Sequence, residues 1–325
     1  MTTAHEDARP YAIGVRVNPD ELTGVIIDLD GQLVRFGGGT IEAGVIARGL
    51  RSSSPATVVD GVATLRDELL AAAGDLGGPV VGLGVVVGGH VHGDTGEVHL
   101  SPNLGWEAVP LGRLLVEATG LVAVNVENDT KTLAVAEQLF GDGIGRRSFA
   151  VVGVRAGVSC GLVLDHEVYG GATGLAGELG HFVFEPGGDP CRCGGRGCLE
   201  TIASRTAMLD AVRAAGRPSP ASIDELAALA RQGDDIAKAA IERAGEALGR
   251  GIAMLLNLLN LELVLLYAEE PLVETPAYLQ SVQTSLKAHA FSSAASDCRI
   301  IQKVLTDIEE ARAGASMAFQ RFYSA

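Results

Sequence analysis

Basic residues are scarce in this chain. Its 325 residues include 25 lysines and arginines against 40 aspartates and glutamates, a net charge of −15. Such a field does not draw the chain to nucleic acid or to an anionic membrane. Long apolar runs are missing as well. No stretch of about 18 apolar residues occurs, so no membrane span is expected. The first ten residues are polar, with His5, Glu6, Asp7 and Arg9, and lack the apolar core of a secretory leader. Cysteine is sparse: there are five, three close together and Cys160 and Cys298 alone, unlike the paired framework of a small secreted domain. These absences together place the protein in the cytoplasm. About ten residues precede the first expected strand, too few for a helix-turn-helix, so DNA contact is expected only through a module that this chain does not carry.

The chain is 47% hydrophobic and holds 43 glycines, the composition of a folded, turn-rich α/β protein. At roughly 100–200 residues per domain its length suggests two domains. Residues 11–17 and 24–29 read as strands, and Asp30-Gly31 as a hairpin turn returning through 32–39. Val58, Val62, Leu65, Leu69 and Leu70 carry a helical period over 57–73, and the apolar runs at 80–87 and 122–126 read as buried strands separated by a helix at 110–119. The pattern then recurs. Strands are expected at 148–154 and 160–164, a glycine-rich loop at 168–180, a long helix at 234–260, a strand at 261–267, a helix at 276–289, a strand at 299–304 and a closing helix at 307–322. Two lobes, each a hairpin followed by alternating helices and strands, imply a cleft between them.

His181, Cys191, Cys193 and Cys198 fall within eighteen residues, with glycines between them that let the chain turn. Four nitrogen and sulfur ligands complete a tetrahedral zinc and leave no open position for an activated water, which points to a structural metal over a catalytic one or unmetallated thiols. The second imidazole nitrogen of His181 stays free for a hydrogen bond. Glu178 and Glu200 flank the block. Each carboxylate could accept from adjacent hydroxyls of a polyhydroxyl ligand; alternatively Glu178 caps a turn and Glu200 starts a helix.

The segment Gly177-Glu178-Leu179-Gly180-His181 through Cys191-x-Cys193-Gly194-x-x-Gly197-Cys198-Leu199-Glu200 resembles the signature of the ROK family of repressors, open reading frames and sugar kinases. Ser101-Pro102-Asn103-Leu104-Gly105-Trp106 resembles its sugar-side loop, and Glu127-Asn128-Asp129-Thr130 its catalytic segment. The resemblance implies a two-lobed, actin-like and ribonuclease-H-like sugar-kinase fold with a central cleft and a structural zinc loop. The lobes would be residues 1–125, closed by helix 307–325, and residues 126–306 with the zinc loop. It also implies that Asn103, Asn128, Asp129, Glu178, His181 and Glu200 hold a sugar, that Asp129 is the general base in a kinase, and that the protein is a homodimer, for which the apolar surface of the 234–260 helix could serve.

The nucleotide half departs from the family pattern. Where kinases carry an acid and then Gly-Gly-Thr, this chain reads Arg16-Val17-Asn18-Pro19-Asp20. Pro19 removes a backbone donor and Asp20 adds an acid. The second phosphate segment, Arg155-Ala156-Gly157-Val158, keeps only part of the glycine pattern, and the late strand runs into Ala268-Glu269-Glu270 with no glycine. ATP and Mg2+ are therefore not expected as cofactors. Val87-Gly88-Gly89-His90 also replaces a Pro-Gly pair, which opens a role for His90 and His92 in ligand choice or leaves them as surface residues of a hairpin. The expected function is a sugar-sensing, regulator-like effector domain. The alternatives are an ATP-dependent, glucokinase-like sugar kinase using Asp129, and a zinc-stabilised scaffold with a relic cleft.

Overall fold

Runs of β-branched and aliphatic residues start the chain, and in the computed structural model, which describes residues 9–36 and 44–324, they form β1 (Tyr11–Val17) and β2 (Glu21–Ile27). The two pair antiparallel across the turn at 18–20, Val17 opposite Leu22. β3 (Val45–Gly49) joins the outer edge of β2. The returning strand expected at 32–39 is therefore displaced. Within the described residues of that segment only a single bridge forms, Ile27 with Leu33, and residues 37–39 lie outside them. After α1 (Pro55–Ala73), capped by Ser54, β4 (Val80–Val87) adds in parallel to β1. A small antiparallel sheet follows, β5 (His90–His92), β6 (Glu97–Ser101) and β7 (Trp106–Val109), which the sequence pattern did not signal. Then come α2 (Leu111–Thr119), β8 (Val124–Asn128), parallel to β4, and α3 (Asp129–Phe140).

The second sheet is built from β9 (Phe149–Val154), β10 (Val158–Leu164) and the short β11 (Glu167–Val168). The stretch at 168–180 is loop apart from Val168 in β11 and the one-turn 3-10 helix that begins at Leu179. Three helices, α4 (Glu200–Ala203), α5 (Arg205–Ala214) and α6 (Ile223–Arg231), lead to α7 (Asp235–Leu259). Asp234 caps α7 by accepting from the amides of Ile236 and Ala237, and Asn260 ends it in the left-handed conformation. β12 (Leu263–Ala268), α8 (Glu270–Val273), α9 (Pro276–His289), α10 (Ser292–Asp297), β13 (Arg299–Val304) and α11 (Asp307–Ser324) complete the chain.

The sheet orders are β3-β2-β1-β4-β8 and β11-β10-β9-β12-β13. They are the same order twice, with an antiparallel hairpin on one side of the first strand and two parallel strands on the other, which agrees with the repeated sequence pattern and with the ribonuclease-H-like half that the family resemblance implies. The chain divides into one unit of Met1–Gly145, Gly170–Leu175 and Thr306–Ala325 and another of Arg146–Tyr169 and Ala176–Leu305. The division falls at Gly145 and not after residue 125, because β8 hydrogen-bonds to β4 and α3 packs on α11, which binds both to the first sheet.

Each unit has its own core. In the first, Ile13, Val15, Leu83 and Val85 of the sheet meet Val58, Val62, Leu65 and Leu69 of α1 on one face, and Ala311, Ala315 and Phe319 of α11 meet Ala12 and Val25 on the other. In the second, α7 is surrounded: Ile241, Leu248, Ile252 and Leu256 are buried among Val152, Leu266, Tyr278 and Val282. Each such side chain contributes about 1.5–3 kcal/mol when fully buried. Most of the apolar face of α7 is thus spent on its own core, while Leu258 near its end is left exposed. Among the described residues no helix is long and apolar enough to cross a membrane.

Candidate functional site

In the first unit the site residues gather at the ends of β4 and β8. Asn128, the last residue of β8, caps α3. Its Oδ1 accepts from the Thr130 and Lys131 amides, and its Nδ2 donates to the Gly89 carbonyl at 2.9 Å. Asp129 opens the helix, where an acid suits the dipole, with Oδ1 accepting from the Thr130 amide at 2.8 Å. The β6–β7 turn carries Asn103 and is fixed by Ser101 Oγ donating to the Gly88 carbonyl at 2.7 Å and by Trp106 Nε1 donating to the Ser53 carbonyl at 2.6 Å. Asn103 and Asp129 are thereby brought to the same place beside Gly88.

Arg16 reaches that place too. It is 5% exposed, deep in the central strand β1. Its Nε lies 2.9 Å from Glu310 Oε2 on α11, and its Nη2 lies 3.7 Å from Asp129 Oδ2. Glu310 is 1% exposed. A charge in this setting requires a partner. Sequence reasoning singled out Arg16 but not Glu310, which lies almost a full chain length away; the available signal was a lone arginine in an otherwise apolar strand. Lys131 was missed as well. Its Nζ donates to the Gly174 carbonyl and lies 3.8 Å from Glu127. Burial pushes the Glu127 carboxyl above its ordinary range, while the Lys131 ammonium and the Asn128 amide pull it back. His90 places its Nε2 2.8 Å from the Thr173 carbonyl and packs edge-on against His99, whereas His92 is exposed.

In the second unit the signature glycines set the geometry. A Cβ on Gly177 would stand 1.9 Å from the Cys160 carbonyl oxygen, and one on Gly180 2.1 Å from that of Val158. Only glycine lets this segment lie directly on β10, which fixes Glu178 and His181 above the sheet. Glu178 Oε2 is 3.7 Å from His181 Nε2. The other imidazole nitrogen, Nδ1, is 3.6 Å from Cys191 Sγ, and Cys193 Sγ is 3.7 Å from Cys198 Sγ. All four ligand atoms lie within 4.8 Å of one another, so this cluster could hold a metal ion. Burial pushes the Cys198 thiol up to about 12 and raises Cys191, while the Gly195 amide draws Cys193 down. A cation supplies the charge that lets such packed thiols ionise together. Cys160 is a buried thiol pushed up to about 12, outside the cluster.

Glu200 is turned inward. It is 7% exposed at the first position of α4, Oε1 accepting from Arg192 Nε at 2.9 Å and Oε2 from the Val158 amide at 3.0 Å. Arg192 sits between two of the clustered cysteines, so the loop and the β9–β10 turn are tied through this carboxylate. Glu269 is not a bare acid at the end of β12, because Arg205 Nη1 donates to it at 2.7 Å.

The ROK family model matches residues 21–321. Over 313 residues the chain is 25% identical to the xylose repressor of Bacillus subtilis, covering 96% of this chain and 78% of that one; of the Caldicellulosiruptor bescii xylose repressor it spans 50%. It is 32% identical over 255 residues to the glucokinase of Thermotoga maritima, covering 72% of this chain and 80% of that enzyme. Among solved structures, a ROK family transcriptional regulator homologous to the Escherichia coli Mlc protein superposes with a TM-score of 0.81 at 27% identity, over 95% of this chain and 78% of the other.

Proposed function

This chain belongs to the ROK family, and on that premise we propose that it is a sugar-sensing protein of the regulator branch. It binds a sugar or sugar derivative through Asn103, Asn128, Asp129, Glu178, His181 and Glu200, and passes the bound state to a partner or to a DNA-binding module. A cytoplasmic homodimer is the form proposed.

The observation that carries this reading is the commitment of Arg16 and of the turn beside it. Phosphoryl transfer depends almost wholly on positioning the phosphates and neutralising their charge. Here the Nε edge of the guanidinium faces Glu310 and its Nη2 corner faces Asp129, the Asn18 amide is spent on the Glu21 carbonyl, and Pro19 has no amide to offer. At the second phosphate segment the Arg155 amide is bonded to the Gly157 carbonyl and the Val158 amide to Glu200. At the third, Arg205 and Glu269 pair with each other. At each of these places a donor that could face a nucleotide is held in an internal bond. The likeness to the Mlc homologue and to the xylose repressor supports the same branch.

A kinase is the second reading, favoured by Asp129 beside Asn103 and by the similarity to the Thermotoga maritima glucokinase. A coupled ADP-release assay over hexoses, pentoses and N-acetylhexosamines separates the two. The expected result is no turnover together with calorimetric sugar binding. Turnover that Asp129→Asn abolishes would establish the kinase and remove the sensor-only reading.

Zinc is the metal proposed for the cysteine–histidine cluster, in a structural role. A tetrahedral ion with bonds of about 2.3 Å to sulfur and 2.0–2.1 Å to nitrogen has sulfur–sulfur edges of about 3.8 Å and sulfur–nitrogen edges of about 3.6 Å. Two of the six separations, 3.7 Å and 3.6 Å, match those edges, and all six lie within 4.8 Å. His181 would bind through Nδ1, which leaves Nε2 for the ligand.

A further inference from the structure

The space beside Gly88 is bounded by one acceptor and two donors. The three atoms nearest to a Cβ built on this glycine are all polar: Asp129 Oδ2 at 3.4 Å, Asn103 Nδ2 at 3.7 Å and Arg16 Nη2 at 3.8 Å. A hydroxyl group is the small neutral group that matches such a set, because it donates once and accepts twice. Arg16 is the member that nothing in the family pattern supplies. It is held for this task by Glu310, which pairs with its Nε edge and leaves the Nη2 corner turned toward Asp129. Nη1 is buried and has no hydrogen-bond partner among the described residues.

We infer that Arg16 is a specificity-determining ligand contact, donating to the same sugar hydroxyl that Asp129 accepts from, and that the ligand must carry that hydroxyl free and not phosphorylated. This deepens the sugar-sensing reading and rests on it. The charges give the direction of selectivity. Arg16 and Glu310 cancel, and Asp129 remains as a net negative charge at the cradle. A phosphate ester there meets a carboxylate with no uncommitted cation, whereas a hydroxyl meets a complete set of partners. Placing the hydroxyl between two charged groups makes its loss costly, since hydrogen bonds to charged groups are the stronger ones.

Gly88→Ala tests this with little disturbance of the fold. The glycine does not need a left-handed backbone, and the added methyl stands no closer than 3.4 Å to any atom beyond its chain neighbours. The methyl nevertheless fills the cradle. The full chain is titrated calorimetrically with glucose, xylose and N-acetylglucosamine, with the phosphate esters of the binding sugar, and with its monodeoxy series. The expected result for Gly88→Ala is an unchanged melting temperature and affinity about ten- to a hundredfold weaker. One monodeoxy sugar should lose a similar factor against the wild type and no further factor against the variant. The paired variant Arg16→Met with Glu310→Gln removes both buried charges together and should lose at least about tenfold on the parent sugar but not on that deoxy sugar. Wild-type affinity in folded Gly88→Ala, or in the paired variant, would overturn the inference. So would tight binding of every phosphate ester, including the one at the hydroxyl the deoxy series identifies. A wild-type chain that binds no sugar at all sinks the sensing reading as well, which distinguishes the two failures.

Discussion

The Arg16–Glu310 pair and the half-buried Glu127 of the first unit have opposite lessons. Arg16 and Glu310 face each other as opposite charges at 2.9 Å, so removing one alone leaves the other uncompensated in a medium that solvates charge poorly. Glu310→Ala is expected to cost about 3–5 kcal/mol in urea unfolding, while Arg16→Met with Glu310→Gln costs much less, because both charges leave together. Glu127 is different: its desolvation outweighs its partner, Lys131, and its folded pKa lies above the ordinary 4.5. A raised carboxyl binds its proton more tightly when folded. Its contribution to stability is therefore full below pH 4.5 and declines as pH rises toward the raised value. Glu127→Gln keeps the shape and an acceptor for the Asn128 amide but does not titrate. Its stability relative to the wild type should increase between about pH 4 and about pH 7 in matched urea titrations. A constant difference across that range would contradict the burial argument.

At the scale of elements, α11 is seated directly on backbone. A Cβ on Gly14 of β1 would stand 1.8 Å from the Ala311 carbonyl oxygen, and one on Gly84 of β4 1.8 Å from that of Gly314. Gly14→Ala or Gly84→Ala must push the helix off the sheet and should destabilise by about 3 kcal/mol. Gly49→Ala, with nothing within 4 Å, should change stability by less than about 0.5 kcal/mol. Thermal unfolding of the three variants checks this. Elements with their own signals were legible in the sequence: α9 and β13 lie where the pattern placed them, and the expected 234–260 helix takes in α7 with its two capping residues. The returning strand at 32–39 was not, because Asp30-Gly31 is a good turn whose following residues make one bridge with Ile27, leaving the edge of β2 to β3. The β5–β7 sheet, α5 and α6 were also missed, whereas Glu200 does open a helix, α4, as one of its two readings had it.

At the scale of the whole molecule the metal cluster is expected to act on one unit. Leu199, directly after Cys198, is fully buried, and a Cβ on Gly251 of α7 would meet its side chain at 2.7 Å. Elemental analysis should find one zinc per chain, and chelation or Cys198→Ser should raise hydrogen exchange over residues 177–200 and weaken sugar binding together, while β1 and β4 stay protected. Zinc loss with unchanged sugar affinity would break the proposed link through His181. By itself, the sequence determined what local chemistry determines: the twice-repeated strand and helix pattern, the four candidate metal ligands, the glycines that let Glu178 and His181 lie on β10, and the change in the nucleotide segments. Tertiary structure decided which of those groups remain available. Arg16 read as a cation standing where the family pattern carries an acid, and Glu200 as a carboxylate ready for hydroxyls or as the start of a helix. Only the fold brought Glu310 to the first, and Arg192 with the Val158 amide to the second. Charges are neutralised by whatever stands within a few ångströms, and no spacing along the chain encodes which distant residues those will be.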